Sequence, residues 1–114
     1  MRMNNELAVL WTSADREVAL KMVFMYTYNA KLYEWWDEVE LIIWGPSSRL
    51  LAEDPELQNY VKKMLEADVK VVACKACSNS YGVTDKLEEL GVETLYMGKP
   101  LTAILKSNTK LITF

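Results

Sequence analysis

Residues 54–73 read DPELQNYVKKMLEADVKVVA, and two periodicities meet inside them. Asp54 followed by Pro55 opens a helix: a side-chain acceptor sits at the cap, then a ring already fixed near the φ of a first helical residue. Leu57, Tyr60, Val61, Met64 and Leu65 fall at i, i+3, i+4, i+7 and i+8, one apolar stripe along that helix. At residue 69 the pattern changes to a short run rich in β-branched side chains, which reads as a buried strand over 69–73. A helix that feeds a buried strand is half of a β-α-β unit, and the flanking sequence repeats the unit.

Upstream, residues 6–12 (ELAVLWT) are almost continuously apolar, as expected of a strand covered on both faces. Ser13 can cap a helix, Asp15 and Glu17 favour its first turn, and Val18, Met22, Tyr26 and Ala30 recur every four residues. The spacing predicts a helix over 14–34 with that stripe inward. Residues 39–44 (VELIIW) form a second buried run, stopped by Gly45-Pro46, which cannot continue a central strand. Downstream, Thr84-Asp85 caps a short helix whose Leu87 and Leu90 face inward before Gly91 ends it, and residues 92–97 form a fourth strand. Gly98-Lys99-Pro100 opens a last helix carrying Leu101, Ile104 and Leu105, and residues 110–114 close the sheet as a fifth strand. Strict alternation with buried strands predicts a three-layer α/β/α fold: a five-stranded, mainly parallel sheet with helices on both faces. One domain spans residues 1–114.

The 114 residues are 51% hydrophobic, enough for one domain to bury a core without staples. Thirteen basic against 16 acidic residues give a net charge of -3 with no basic stripe, so no nucleic-acid partner is expected. No apolar stretch reaches the roughly 18 to 20 residues of a membrane span, and residues 1–6 lead into a charged, strand-like segment rather than a signal sequence. The expected setting is cytoplasmic, where the chain's two cysteines would be thiols. The sequence contains no histidine, which removes Ser-His, Cys-His and His-metal chemistry together.

In a parallel sheet, ligands bind outside the carboxyl ends of the strands. Those positions are Thr12-Ser13-Ala14, Gly45-Pro46-Ser47-Ser48-Arg49, residues 74–80 and Gly98-Lys99, so Cys74 and Cys77 both lie at the functional edge. A short helix opening at Cys77 or Ser78 and running to Tyr81 would place Cys74 just ahead of its positive end, where unpaired N–H groups favour a thiolate, and Lys75 adds charge. Cys74 could then act as a nucleophile with no histidine base. The competing readings are a small packed cysteine and a thioredoxin-like redox pair, although that motif belongs before a long helix and an antiparallel hairpin. One C-x-x-C cannot fill four zinc positions. Thr12-Ser13-Ala14-Asp15-Arg16 lacks the dense phosphate loop a flavin needs, so no cofactor is expected. Residues 45–49 form either an ordinary turn or, through Ser47, Ser48 and Arg49, a site for a small anion, with Ser13, Lys75, Ser78 and Lys99 lining the same edge. Trp35 and Trp36, with Tyr26, Tyr28 and Tyr33, exceed what one small core absorbs; they point to a subunit interface, or else to closure of the bottom of the sheet.

The five-strand alternation, the cysteine ending strand three, the C-x7-G-[VI] spacing from Cys74 to Gly82-Val83, the GVET at 91–94 and the Gly98 turn resemble the DsrE/DsrF-like family of small sulfur-handling proteins. The resemblance implies the fold above, assembly as trimers or hexamers, and, in the best understood members, sulfur carried as a persulfide on one cysteine in relays serving tRNA thiolation or dissimilatory sulfur oxidation. Many relatives lack the cysteine. By its spacing to the glycine, that residue is Cys74 here. Cys77 departs from the pattern, and it would resolve a persulfide or a disulfide or simply pack beside its neighbour. The expected function is a homo-oligomeric sulfur carrier, not a self-contained enzyme, with Cys74 as acceptor, Cys77 as resolving thiol, and donor and acceptor proteins as partners. The alternative is a non-catalytic binding module for a small anion or nucleotide.

Overall fold

Among residues 5–114, which the computed structural model describes, five strands form one parallel sheet: β1 (Glu6–Trp11), β2 (Glu38–Ile43), β3 (Lys70–Cys74), β4 (Glu93–Leu95) and β5 (Lys110–Thr113). The expected fold class is the one observed, with the order β4-β3-β2-β1-β5. The most continuously apolar strands take the middle, and the short or exposed ones the edges, where their unpaired backbone can meet water. The register aligns Val9 with Leu41 and Leu41 with Val71, so alternate residues of three strands form one apolar row. The reading of residues 1–4 lies outside the described residues.

The first helix, α1, starts as Arg16–Val18, widens to a π-helix over Ala19–Phe24 and finishes as Met25–Leu32. Asp15 caps it by accepting from the Val18 N–H at 3.1 Å. The π segment shifts the phase of everything after it. Ala19, Val23, Phe24, Thr27 and Ala30 are buried, whereas Met22, expected inward from a four-residue repeat, is 42% exposed. The remaining helices are α2 (Pro46–Glu53), α3 (Pro55–Glu66), α4 (Lys75–Tyr81), α5 (Thr84–Glu89) and α6 (Gly98–Lys106).

Helix α2 occupies what reads in the sequence as a turn. Gly45, at φ 74°, turns the chain sharply out of β2, and Pro46 then stands at the first helical position. The buried Ser47 hydroxyl donates to the Trp11 carbonyl at 2.6 Å and accepts from the Trp44 N–H at 3.2 Å, tying the new helix to the ends of β1 and β2. Asp54 separates α2 from α3, accepting from the Glu56 and Leu57 N–H groups at 3.0 and 3.1 Å, and Gln58 donates back to the last carbonyls of α2. Burial works to raise the Asp54 carboxyl, but the bonds from Arg16 and from these N–H groups hold it below its ordinary range.

The two faces of the sheet are covered unequally. Leu7, Val9, Trp11, Val39, Leu41, Ile43, Val71 and Ala73 enter a core completed by Phe24, Leu51, Leu57, Met64 and Leu87 from α1, α2, α3 and α5. Trp11 meets the Phe24 ring edge-on at 4.9 Å. On the other face Ala8, Ile42, Val72, Cys74 and Met97 form a smaller cluster, to which the helices bring Ile104 of α6 and Cys77 of α4. Leu105 of α6 is 62% exposed.

Candidate functional site

Strand β3 ends at Cys74, which is also the N-cap of α4, at φ -66° and ψ 115°. Eight residues later the helix is closed by Gly82 in the left-handed region (φ 71°), with the Val83 N–H bonded to the Ser78 carbonyl at 2.8 Å. The C-x7-G spacing is therefore a structural unit: cap, a helix of about two turns, and a left-handed stop. A Cβ on Gly82 would meet nothing within 4 Å, so the backbone angle alone demands glycine there. The helix begins at Lys75, earlier than an opening at Cys77 or Ser78, and this puts both cysteines in its first turn.

Cys77 packs against the cluster that contains Cys74, and the Gly45 backbone lies near enough to act on its thiol. Burial is the main cause raising the Cys77 thiol above its ordinary range, Cys74 adds to it, and the Gly45 backbone opposes both. Both cysteines are free; Cys74 is 4% exposed, and Cys77 is half-buried. Their apolar surroundings belong to the thinly covered face, where Leu10, Trp44 and Leu95 are the half-buried neighbours.

The polar residues expected at this edge divide into two groups. Ser13 accepts from the Asp15 N–H at 2.9 Å and serves the start of α1. Ser47 is committed to the backbone as described, and Ser48 is buried with its hydroxyl unpartnered. Ser78 is buried and bonds the Lys75 carbonyl at 3.2 Å and the Thr84 hydroxyl at 2.6 Å, fastening α4 to α5. Arg49 is exposed, with its guanidinium 5.5 Å from the centre of the Tyr81 ring, and Lys75 lies 5.8 Å from the centre of Tyr96. Lys99 is exposed in the first turn of α6. The structure thus brings together Cys74, Cys77 and the Gly45 backbone, while it places Arg49 and Lys75 on aromatic faces of the rim. The Gly45 N–H was not legible as a site group, although the Gly45-Pro46 pair was its only signal. Among the described residues no cluster of three or more cysteine and carboxylate ligands could hold a metal ion.

At the far end of α1, Trp35 is 53% exposed and Tyr33 63% exposed. Trp36 is half-buried and donates its indole N–H to the Tyr26 hydroxyl at 3.1 Å.

A model of the DsrE/DsrF-like family matches residues 7–114. A solved structure described as a conserved protein of unknown function, BT1422 from Bacteroides thetaiotaomicron, is 34% identical over 97% of this chain and 96% of that one, with a TM-score of 0.95. The ychN protein from E. coli is 17% identical over 96% of this chain and 99% of that one, with a TM-score of 0.68, a likeness of fold. No curated protein matches the chain.

Proposed function

We propose, from the premise that this chain belongs to the DsrE/DsrF-like family, that it carries sulfur as a persulfide on Cys74. The family is associated with sulfur relay in general, and one observation supports the finer reading. Cys74 ends a strand at the carboxyl edge of the sheet, stands at the N-cap position of α4 and shares a cluster with a second free thiol, Cys77. In the proposed step the Cys74 thiolate attacks the outer sulfur of a donor protein's persulfide. The bond between that sulfur and the donor cysteine breaks, the donor departs as a thiolate, and Cys74 is left as Cys74–S–SH. Transfer onward repeats the same exchange with an acceptor thiol. At 4% exposure, Cys74 would hold the outer sulfur in apolar surroundings, away from solvent thiols.

The alternative of an anion site has less support. It would use Ser47 and Ser48, both fully buried, and Arg49, which is engaged with Tyr81. Incubation with a small-molecule persulfide, followed by intact mass, tests the carrier reading: the expected result is one added sulfur atom per chain, absent in Cys74→Ser. No uptake by the unmodified protein would overturn it.

The carrier is further proposed to be a cytoplasmic homo-oligomer, a trimer or hexamer. No helix among the described residues is long and apolar enough to cross a membrane. Support for assembly comes from an apolar surface on α1 and just beyond it, where Met22, Met25, Tyr33 and Trp35 are all more than two-fifths exposed. Trp35→Ala is expected to shift sedimentation toward the 13.1 kDa monomer more than Trp36→Ala, whose ring already has a partner within the chain. A monomer in the unmodified protein at micromolar concentration would refute the assembly.

A further inference from the structure

We infer that Cys77 resolves the Cys74 persulfide, expelling its outer sulfur as hydrosulfide and leaving a Cys74–Cys77 disulfide. The inference rests on the carrier reading and adds a second outcome to it: the site can release sulfide as well as hand sulfur on.

Position is the first ground. Cys74 caps α4 and Cys77 lies one turn into it, so three helical steps separate them. Three steps of 1.5 Å rise and 100° turn place Cα atoms roughly 5 Å apart, inside the roughly 4.4–6.8 Å that a disulfide spans. Both side chains belong to the same cluster on the second face of the sheet, so a disulfide between them is within reach of the backbone as it stands. The second ground is the Gly45 backbone, which comes from a different element and favours the Cys77 thiolate against the burial that opposes it. The third is accessibility: Cys77 is half-buried while Cys74 is buried, so the finished disulfide offers its Cys77 sulfur to an external reductant.

The step balances. Cys77 gives its proton to solvent, and its thiolate attacks the inner sulfur of Cys74–S–SH. A new bond forms between the two cysteine sulfurs, the bond to the outer sulfur breaks, and that sulfur leaves with the electron pair as HS⁻. The two cysteines are oxidised to a disulfide and the carried sulfur is reduced to sulfide. An external dithiol then restores both thiols by exchange, so the net reductant is that dithiol.

The full chain, its Cys77→Ser and Cys77→Ala forms, and Cys74→Ser are loaded with glutathione persulfide and freed of small thiols. Intact mass and released sulfide are then followed together. The unmodified protein should first gain one sulfur atom, then lose it together with two hydrogens as one sulfide per chain appears. Both Cys77 variants should keep the added sulfur and release none. Dithiothreitol should return the unmodified protein to its starting mass. If the unmodified protein holds its sulfur as long as both Cys77 variants and releases no sulfide, resolution by Cys77 is overturned and the carrier stands. If Cys74→Ser loads while the Cys77 variants do not, the roles are reversed and the inference fails. If no form takes up sulfur or yields sulfide, the carrier reading fails and resolution falls with it.

Discussion

The two faces of the sheet are drawn from alternate residues of the same strands, yet they are built for different ends. On one, Val9, Leu41 and Val71 pack beneath Phe24, Leu57 and Met64. On the other, Ala8, Ile42 and Val72 are also buried, but Leu10, Trp44, Leu95 and Leu111 around them remain half-exposed, and the helices add only Ile104 of α6 and Cys77 of α4. The lower part of that second face is charged. Glu6 stands opposite Glu38 and Glu40 opposite Lys70, with Val72 paired to Glu93. Like charges placed directly opposite one another oppose strand pairing. Burial raises the Glu40 carboxyl, Lys70 works against the rise, and Glu93 and Glu6 add to it. A sheet secured from one side can carry strain and reactive groups on the other, and both thiols lie in the second cluster.

Substitution should separate the faces most clearly at Phe24. Phe24→Ala removes a fully buried ring from the well-covered face and should cost about 3–5 kcal/mol in urea unfolding. Ile104→Ala, on the half-buried contact of α6, should cost about 1 kcal/mol by the same measurement. Equal losses at the two positions would erase the distinction, because the second face would then be core as well.

Charged groups divide along the same line, since their removal should act in opposite directions. Asp54→Ala takes away the cap of α3 and should cost about 1 kcal/mol near neutral pH. Because the folded carboxyl is held low, that contribution is present above the unfolded carboxylate range and is lost as pH falls through the folded value, so the gap between Asp54→Ala and the unmodified protein should close in acid. Glu40 has the reverse sign. A raised carboxyl favours the folded state below the unfolded value, and that advantage is lost as pH rises through the folded one, so Glu40→Gln should raise the melting temperature slightly at pH 7. In acid, where Glu40 is already protonated, the gain should vanish; a gain independent of pH would remove ionisation as its cause.

Much of this architecture is legible locally. Asp54-Pro55 announces α3, and Gly82 ends α4 because each acts on backbone groups within a turn of itself. The cysteine edge was visible in the same way, as a strand end followed by a turn. Other features were hidden. Residues 45–49 read as an anion site or an ordinary turn, and their helix was missed because Ser47 stabilises it through the Trp11 carbonyl, on a distant strand. The inward stripe of α1 was misplaced because a π segment depends on how the helix seats against β1 and α3, which a regular four-residue repeat does not encode.

Residue types and short spacings were enough for the five strands and their alternation with helices, the absence of histidine chemistry and the cysteine-helix-glycine unit at Cys74, because these depend on a residue's identity or on groups a few positions apart. Three-dimensional packing was needed to order the strands as β4-β3-β2-β1-β5, to cover one face more thinly than the other, and to bring the Gly45 backbone near the Cys77 thiol. Each of those results joins segments distant in the chain. They arise from burying the apolar rows of all the strands at once, a condition set by the whole sheet and carried by no single stretch.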